Sequence, residues 1–250
     1  MARTLQHVVL FLPAVWVTID FYHWSSLLSL IYPVAALSAR SPLNTSQQEM
    51  MGDKVRVRQS YAERAFEYVA ALGDVDSMDP LDVNLITDWG MNIHGPLLDA
   101  GSGPGHWTEL LRSLGCDVTG LDIVPEFVDS ARQRFPLATF ETGNLLDMPF
   151  ESSRFDGILA WYSLIHMTPK ERRAALREFS RVLKPKGTLL IGAFLGQQGV
   201  SFSHAITEAF YWSEAGLVTY LESAGFQVIS VDTRDSEGRR PHISVLARLP

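Results

Sequence analysis

The sequence predicts an α/β fold, a parallel sheet covered by helices on both faces. Three observations carry that expectation. From Pro96 onward, short apolar runs alternate with amphipathic stretches, the order that builds strands joined by covering helices. A glycine-rich turn lies between the first of those runs and the helix after it. The 250 residues, 46% hydrophobic and 20% charged, suffice for one large domain with a substantial buried core, and a second full domain is not expected.

The first fifty residues differ in character. Residues 8–39 are mostly apolar, from Val8 to Ile19 and again from Trp24 to Ala39, with Asp20 and His23 between. A membrane-spanning helix needs about 20 predominantly apolar residues, and a central Asp costs about 2.5–3.5 kcal/mol on insertion. With Pro13 and Pro33 added, the segment is a marginal span. An export signal with small residues at Ala35–Ala39 fits poorly, because the apolar region is long and only Arg3 precedes it. Residues 1–49 are therefore read as a hydrophobic extension: dispensable, ahead of a true start at Met50 or Met51, or membrane-associating. Residues 50–250 are read as the domain.

Within the domain, Arg58–Leu72 is expected to be one helix, with Tyr61, Ala65, Tyr68 and Leu72 at helical spacing and Gly73 to end it. Asp79–Trp89 reads as a second, shorter helix. Strands follow at Pro96–Ala100, Asp117–Asp122, Thr139–Thr142, Phe155–Trp161, Gly187–Phe194, Phe226–Asp232 and His242–Ala247. Helices fall between them at Gly105–Leu114, Pro125–Phe135, Pro169–Leu183 and Glu214–Ala224. The third of these is strongly signalled: Thr168 caps it, Pro169 suits its first turn and Glu171 completes a capping box. Ser213 caps the fourth and Gly225 stops it. The stretch Gly196–Trp212, with Phe202, His204, Phe210 and Tyr211, is where a substrate-covering insertion is expected.

The chemistry concentrates after the first strand. Asp99-Ala-Gly-Ser-Gly-Pro-Gly105 sets three alternate glycines between strand and helix, permitting a tight turn, close backbone approach and free N–H groups for a polar ligand. The dinucleotide pattern G-x-G-x-x-G requires glycine where this chain has His106, whereas D-x-G-x-G-x-G is matched at Asp99, Gly101, Gly103 and Gly105. That favours S-adenosyl-L-methionine over NAD. Asp122 ends the second strand, where a carboxylate can accept both ribose hydroxyls. It can also serve simply as an acid before the helix at Pro125, and the glycine turn upstream favours the ribose reading.

Further on, Gly143-Asn-Leu-Leu-Asp-Met-Pro-Phe150, the run Phe155-Asp-Gly-Ile-Leu-Ala-Trp-Tyr-Ser-Leu-Ile-His166 and the segment Phe179–Leu190 complete a pattern that resembles the class I methyltransferases of small-molecule type. The resemblance covers roughly Val55 to Pro250. It implies a three-layer α/β/α Rossmann-like methyltransferase fold with a seven-stranded, mostly parallel sheet and an antiparallel last strand. It implies that Asp99 and the turn Gly101-Ser102-Gly103 with Gly105 hold the methionine end of the cofactor, and that Asp122 and Ile123 hold ribose and adenine. Asn144 stands where such enzymes usually have Asp reaching the adenine amino group; its carbonyl can still accept that bond, and Leu145 offers its backbone N–H. Tyr61 and Tyr68 lie where an N-terminal helix closes over the methionine carboxylate, or else pack in the core. Trp107 shields the cofactor or anchors its helix.

Trp161, Tyr162, Ser163 and His166 follow the fourth strand, at the edge where ligands bind in open α/β sheets. His166 can take a proton from a hydroxyl or amine nucleophile, or close a hydrogen-bond network beside the cofactor, and the second reading weighs slightly more. The expected reaction is in-line methyl transfer to a small-molecule oxygen or nitrogen nucleophile. A non-catalytic cofactor-binding module, a membrane-tethered interaction protein and an NAD-dependent oxidoreductase are the alternatives. A net charge of −7 argues against a broad grip on nucleic acid, no His and carboxylate cluster at metal-ligand spacing is visible, and the single Cys116 suits a reducing, cytoplasmic setting.

Overall fold

The computed structural model describes residues 8–12, 15–19, 53–204, 206–235 and 238–250. The chain divides into two compact units, Met1–Thr45 and Ser46–Pro250. In the first, β1 (Val8–Leu12) pairs antiparallel with β2 (Val15–Ile19), Leu12 opposite Val15. The expectation of a marginal spanning helix thus meets ten residues in strands, for which the β-branched and aromatic run Val15-Trp-Val-Thr-Ile19 is suited. The rest of the apolar stretch to Ala39, and Met50 and Met51, lie outside the described residues. Among the described residues no helix is long and apolar enough to cross a membrane.

The second unit opens with α1 (Asp53–Glu63) and α2 (Ala65–Leu72). The single helix expected over Arg58–Leu72 is broken at Arg64, with φ −117° and ψ 13°. The bend lets Tyr61 from the first helix and Tyr68 from the second meet the same ring, Phe127, at 5.7 and 5.4 Å. Neither glycine nor proline marks the site, so periodicity alone does not reveal it. Helix α3 (Pro80–Met91) begins with Pro80 in its first turn and the Asp79 carboxylate accepting from the Leu81 N–H.

The main sheet has seven strands: β3 (Leu97–Ala100), β4 (Val118–Asp122), β5 (Thr139–Thr142), β6 (Phe155–Trp161), β7 (Leu183–Phe194), β10 (Gln227–Arg234) and β11 (His242–Arg248), in the order β10-β11-β7-β6-β3-β4-β5. β11 runs antiparallel to both its neighbours, and the pairs from β7 across to β5 are parallel. Every residue of β3 and β4 is buried, as strands covered on both faces require. α4 (His106–Ser113), α5 (Pro125–Arg134), α6 (Pro169–Val182) and α7 (Glu214–Ser223) fall within a residue or so of their expected spans. The capping box at Thr168 and Glu171 is present in full.

Two further elements add to the expectation. β7 begins at Leu183, directly after α6, because Leu183 already pairs with Phe155. The insertion Gly196–Trp212 is itself structured: β8 (Ser201–Ser203) and β9 (Glu208–Phe210) form a two-stranded antiparallel hairpin. Two core layers hold the sheet. Leu98, Ile158, Leu176, Phe179 and Ile191 belong to one, and Ile86, Leu97, Leu111, Leu159 and Leu190 to the other.

Candidate active site

Strands β3, β4, β5 and β6 all end at one edge of the sheet, and the residues beyond their ends wall a cavity of about 350 Å³. The walls draw on the turn after β3, Asp122 at the end of β4, Asn144 after β5 and Trp161–Met167 from the end of β6 onward. This is the crevice that an open parallel sheet creates wherever neighbouring loops leave in opposite directions.

The turn after β3 owes its shape to glycine. Gly101 has φ +82°, and a Cβ there would lie 2.4 Å from Ser163 Cβ, so the turn and the segment after β6 approach more closely than any side chain permits. Gly103, at φ +50°, has nothing within 4 Å of a Cβ position and leaves its side open to the cavity. Its N–H donates to Asp122 Oδ2 at 2.8 Å, while Asp122 Oδ1 accepts from the Val124 N–H at 2.9 Å. Burial pushes the Asp122 carboxyl up to about 6 against the pull of these N–H donors.

Asp99 and Gly105 lie elsewhere than expected. Neither is on the cavity wall. Asp99 sits behind the turn, 1% exposed, accepting from the Thr108 hydroxyl at 2.6 Å, and burial drives its carboxyl up to about 7. Its carboxylate thus ties β3 to α4 behind the turn. Gly105 forms the start of α4, pressed against the Phe140 ring.

The remaining expected residues, Ser102, Trp107, Ile123, Asn144, Leu145, Tyr61, Tyr68, Trp161 and His166, do line the cavity. Asn144 Oδ1 already accepts from the Leu146 N–H at 3.0 Å, which leaves one lone pair for a ligand. Ser102 Oγ is buried without a partner in the protein. Trp161 is oriented by its indole N–H, which donates to Asp82 at 3.3 Å.

His166 is engaged at both nitrogens. The Glu208 carbonyl, 2.7 Å from Nδ1, can only accept, so Nδ1 carries the proton and Nε2 accepts from the Tyr61 hydroxyl at 2.9 Å. Burial lowers the His166 pKa, keeping the ring uncharged near neutrality. The imidazole thus joins α1 to the β8–β9 hairpin at the cavity wall.

Sequence patterns did not mark Asp82, Phe194 or Glu171 as wall residues, whereas His204, expected within a substrate-covering insertion, does line the cavity. Asp82 comes from a helix ahead of the sheet and is held by Arg234 of β10, a pairing between distant parts of the chain. Tyr162 adopts φ +55°, rare for a bulky residue, and its hydroxyl meets His242 Nδ1 at 2.5 Å. Buried Ser102 Oγ, the open side of Gly103 and the Asp122 carboxylate together suit the polar and ribose parts of S-adenosyl-L-methionine.

Comparison with known proteins agrees. Residues 97–187 match a family model described as a methyltransferase domain. The O-methyltransferase cnsE of Penicillium expansum is 32% identical over 154 residues, which is 56% of this chain and 55% of that protein. A malonyl-[acyl-carrier protein] O-methyltransferase of Serratia marcescens is 35% identical over 94 residues, 38% of this chain and 36% of its own length. The chain thus spans about half, or less, of these relatives. Among solved structures, the 1,6-didemethyltoxoflavin-N1-methyltransferase of Burkholderia thailandensis, with its namesake compound and S-adenosylhomocysteine bound, superposes with a TM-score of 0.65 at 19% identity, covering 87% of this chain and 98% of that one. Strand order and glycine turn agree with these likenesses: residues 97–187 match a methyltransferase domain, and the chain has a Rossmann-like fold in common with that solved structure.

Proposed function

We propose that this chain is an S-adenosyl-L-methionine-dependent methyltransferase acting on an oxygen or nitrogen of a small molecule. The observation that carries the reading is the joint between Gly103 and Asp122: an open-sided glycine hydrogen-bonded to a carboxylate at the wall of one cavity, which the polar and aromatic run Trp161–His166 also lines. The bound cofactor supplies an activated methyl group, which leaves S-adenosylhomocysteine behind while the acceptor gives up a proton.

The chain's own part is binding, alignment and exclusion of water. Gly101, Ser102 and Gly103 take the methionine end; Asp122 and Ile123 take the ribose and adenine, with Asn144 and Leu145 at the ring. Tyr61, Trp107 and Trp161 enclose the donor. His166 ties Tyr61 to the Glu208 carbonyl and so draws helix and hairpin together over the cavity. Proton removal by His166 itself requires the Tyr61 hydroxyl to yield its place at Nε2 to the acceptor. An oxygen acceptor is supported by cnsE, named an O-methyltransferase, and a small-molecule nitrogen acceptor by the solved 1,6-didemethyltoxoflavin-N1-methyltransferase. We take residues 50–250 as the working domain, 1–49 as dispensable for it, and the reducing cytoplasm, suited to one free cysteine, as its setting.

Calorimetry with S-adenosyl-L-methionine and NAD in parallel, on the full chain and on residues 50–250, tests both points. Binding of the first ligand alone, with equal affinity for both proteins, is expected. Tight NAD binding without an adenosylmethionine signal overturns the reading, and loss of folding in the shorter protein overturns the dispensable extension.

A further inference from the structure

One part of the cavity wall is an arc of rings in successive contact. Tyr61 meets His166 at 5.5 Å between centroids, His166 meets His204 at 5.2 Å, and His204 meets Phe194 at 6.1 Å. Phe194 then meets Tyr162 at 4.7 Å and Tyr162 meets Trp161 at 5.9 Å. All six line the cavity. They come from α1, β6 and the segment after it, the hairpin and β7, so the arc exists only in the fold. Its two ends, Tyr61 and Trp161, are the residues that also serve the cofactor; its middle is free of that duty.

Four polar tips of the arc are spent on one another or on the scaffold. The Tyr61 hydroxyl is bonded to His166, the His166 Nδ1–H to Glu208, the Tyr162 hydroxyl to His242 and the Trp161 N–H to Asp82. What these side chains turn to an occupant is mostly ring surface, which favours flat π-systems by stacking and edge contacts.

Charge narrows the class further. Among the described residues lining the cavity there is no lysine or arginine, and the charged side chains there are Asp82, Asp122 and Glu171. Nearby guanidiniums are directed elsewhere: Arg234 to Asp82, Arg239 to Asp79, and Arg240 to the Ser203 carbonyl and the Phe202 ring. Burial holds the His204 imidazole down at about 4, so it adds no positive charge near neutrality. Such a wall receives a cationic donor readily and offers an anion no cationic side chain to pair with.

Resting on the methyltransferase reading, we propose that the acceptor is an uncharged, planar aromatic or heteroaromatic molecule held within this arc, and not a carboxylate or phosphate. Phe194 and His204 are the rings that select it.

The test uses the full chain saturated with S-adenosylhomocysteine at about pH 7, titrated with naphthol, its anionic counterpart naphthoate and its saturated counterpart decalol, with tryptophan fluorescence and calorimetry as readouts. Naphthol is expected to bind at least roughly tenfold more tightly than either counterpart. Phe194→Leu and His204→Leu are expected to erase that preference while S-adenosylhomocysteine affinity stays within about twofold, which shows the variants are folded. Naphthoate or decalol binding as tightly as naphthol, or no probe binding to the saturated protein, overturns the proposal. Failure of S-adenosylhomocysteine itself to bind overturns the methyltransferase reading instead.

Discussion

At the scale of single residues, Asp122 does two jobs with one carboxylate. It fastens the glycine turn through Gly103 and presents charge at the cavity wall. Burial has raised its pKa to about 6, so the ionised form that accepts ribose hydroxyls is complete only above that value. Adenosylmethionine affinity is therefore expected to weaken as pH falls from about 7 to about 5. Asp122→Asn should bind roughly 10–100-fold more weakly, the worth of charge-assisted hydrogen bonds, and should lose most of that pH dependence. Calorimetry at several pH values checks both; an unchanged pH profile in the variant assigns the titration to another group. Asp99, equally acidic in sequence and also buried, is shut behind the turn, and its place off the cavity wall distinguishes the two.

At the scale of elements, the cavity is covered by pieces that are not adjacent in sequence. α1 contributes Tyr61, the β8–β9 hairpin contributes the Glu208 carbonyl, and His166 bridges them. Two bonds through one ring act as a unit, so their removal is expected to be non-additive. Tyr61→Phe and His166→Ala should each weaken adenosylmethionine binding, and the double variant should be little worse than His166→Ala alone. Simple additivity in that cycle would mean hydroxyl and imidazole act separately. The hairpin has a second anchorage: the Arg172 guanidinium stacks 4.1 Å over Trp212 and 5.5 Å from Phe210.

At the scale of the whole molecule, burial of ionisable groups sets the response to acid. His106, His204 and His242 are each held down at about 4 by burial, and His166 is lowered in the same direction. As pH falls below about 6.5 the unfolded chain takes up protons at these sites before the native one does, so stability drops between about 6.5 and 4. Asp99 and Asp122, raised to about 7 and about 6, oppose this, because the native state keeps their protons where the unfolded state has lost them. Four imidazoles outweigh two carboxyls, and Glu109 and Glu178, lowered by their arginine partners, add to the acid loss. The urea midpoint is thus expected to fall between about pH 6.5 and pH 4.5; a midpoint that rises over that interval would show the two buried carboxyls to dominate.

What the sequence determined alone was whatever depends on neighbours in the chain. Strand and helix spans followed from periodicity, the Thr168 capping box from residue spacing, and the glycine turn with Asp122 from a pattern that backbone geometry demands. Tertiary structure decided whatever depends on approach between distant segments. The bend at Arg64 exists because two tyrosines share Phe127, the insertion became a hairpin under Arg172, and Asp82 reached the cavity through Arg234. His166 shows the division within one side chain: its position at the ligand edge was legible in the run after β6. The engagement of both its nitrogens was not, because Tyr61 and Glu208 are brought to it only by folding.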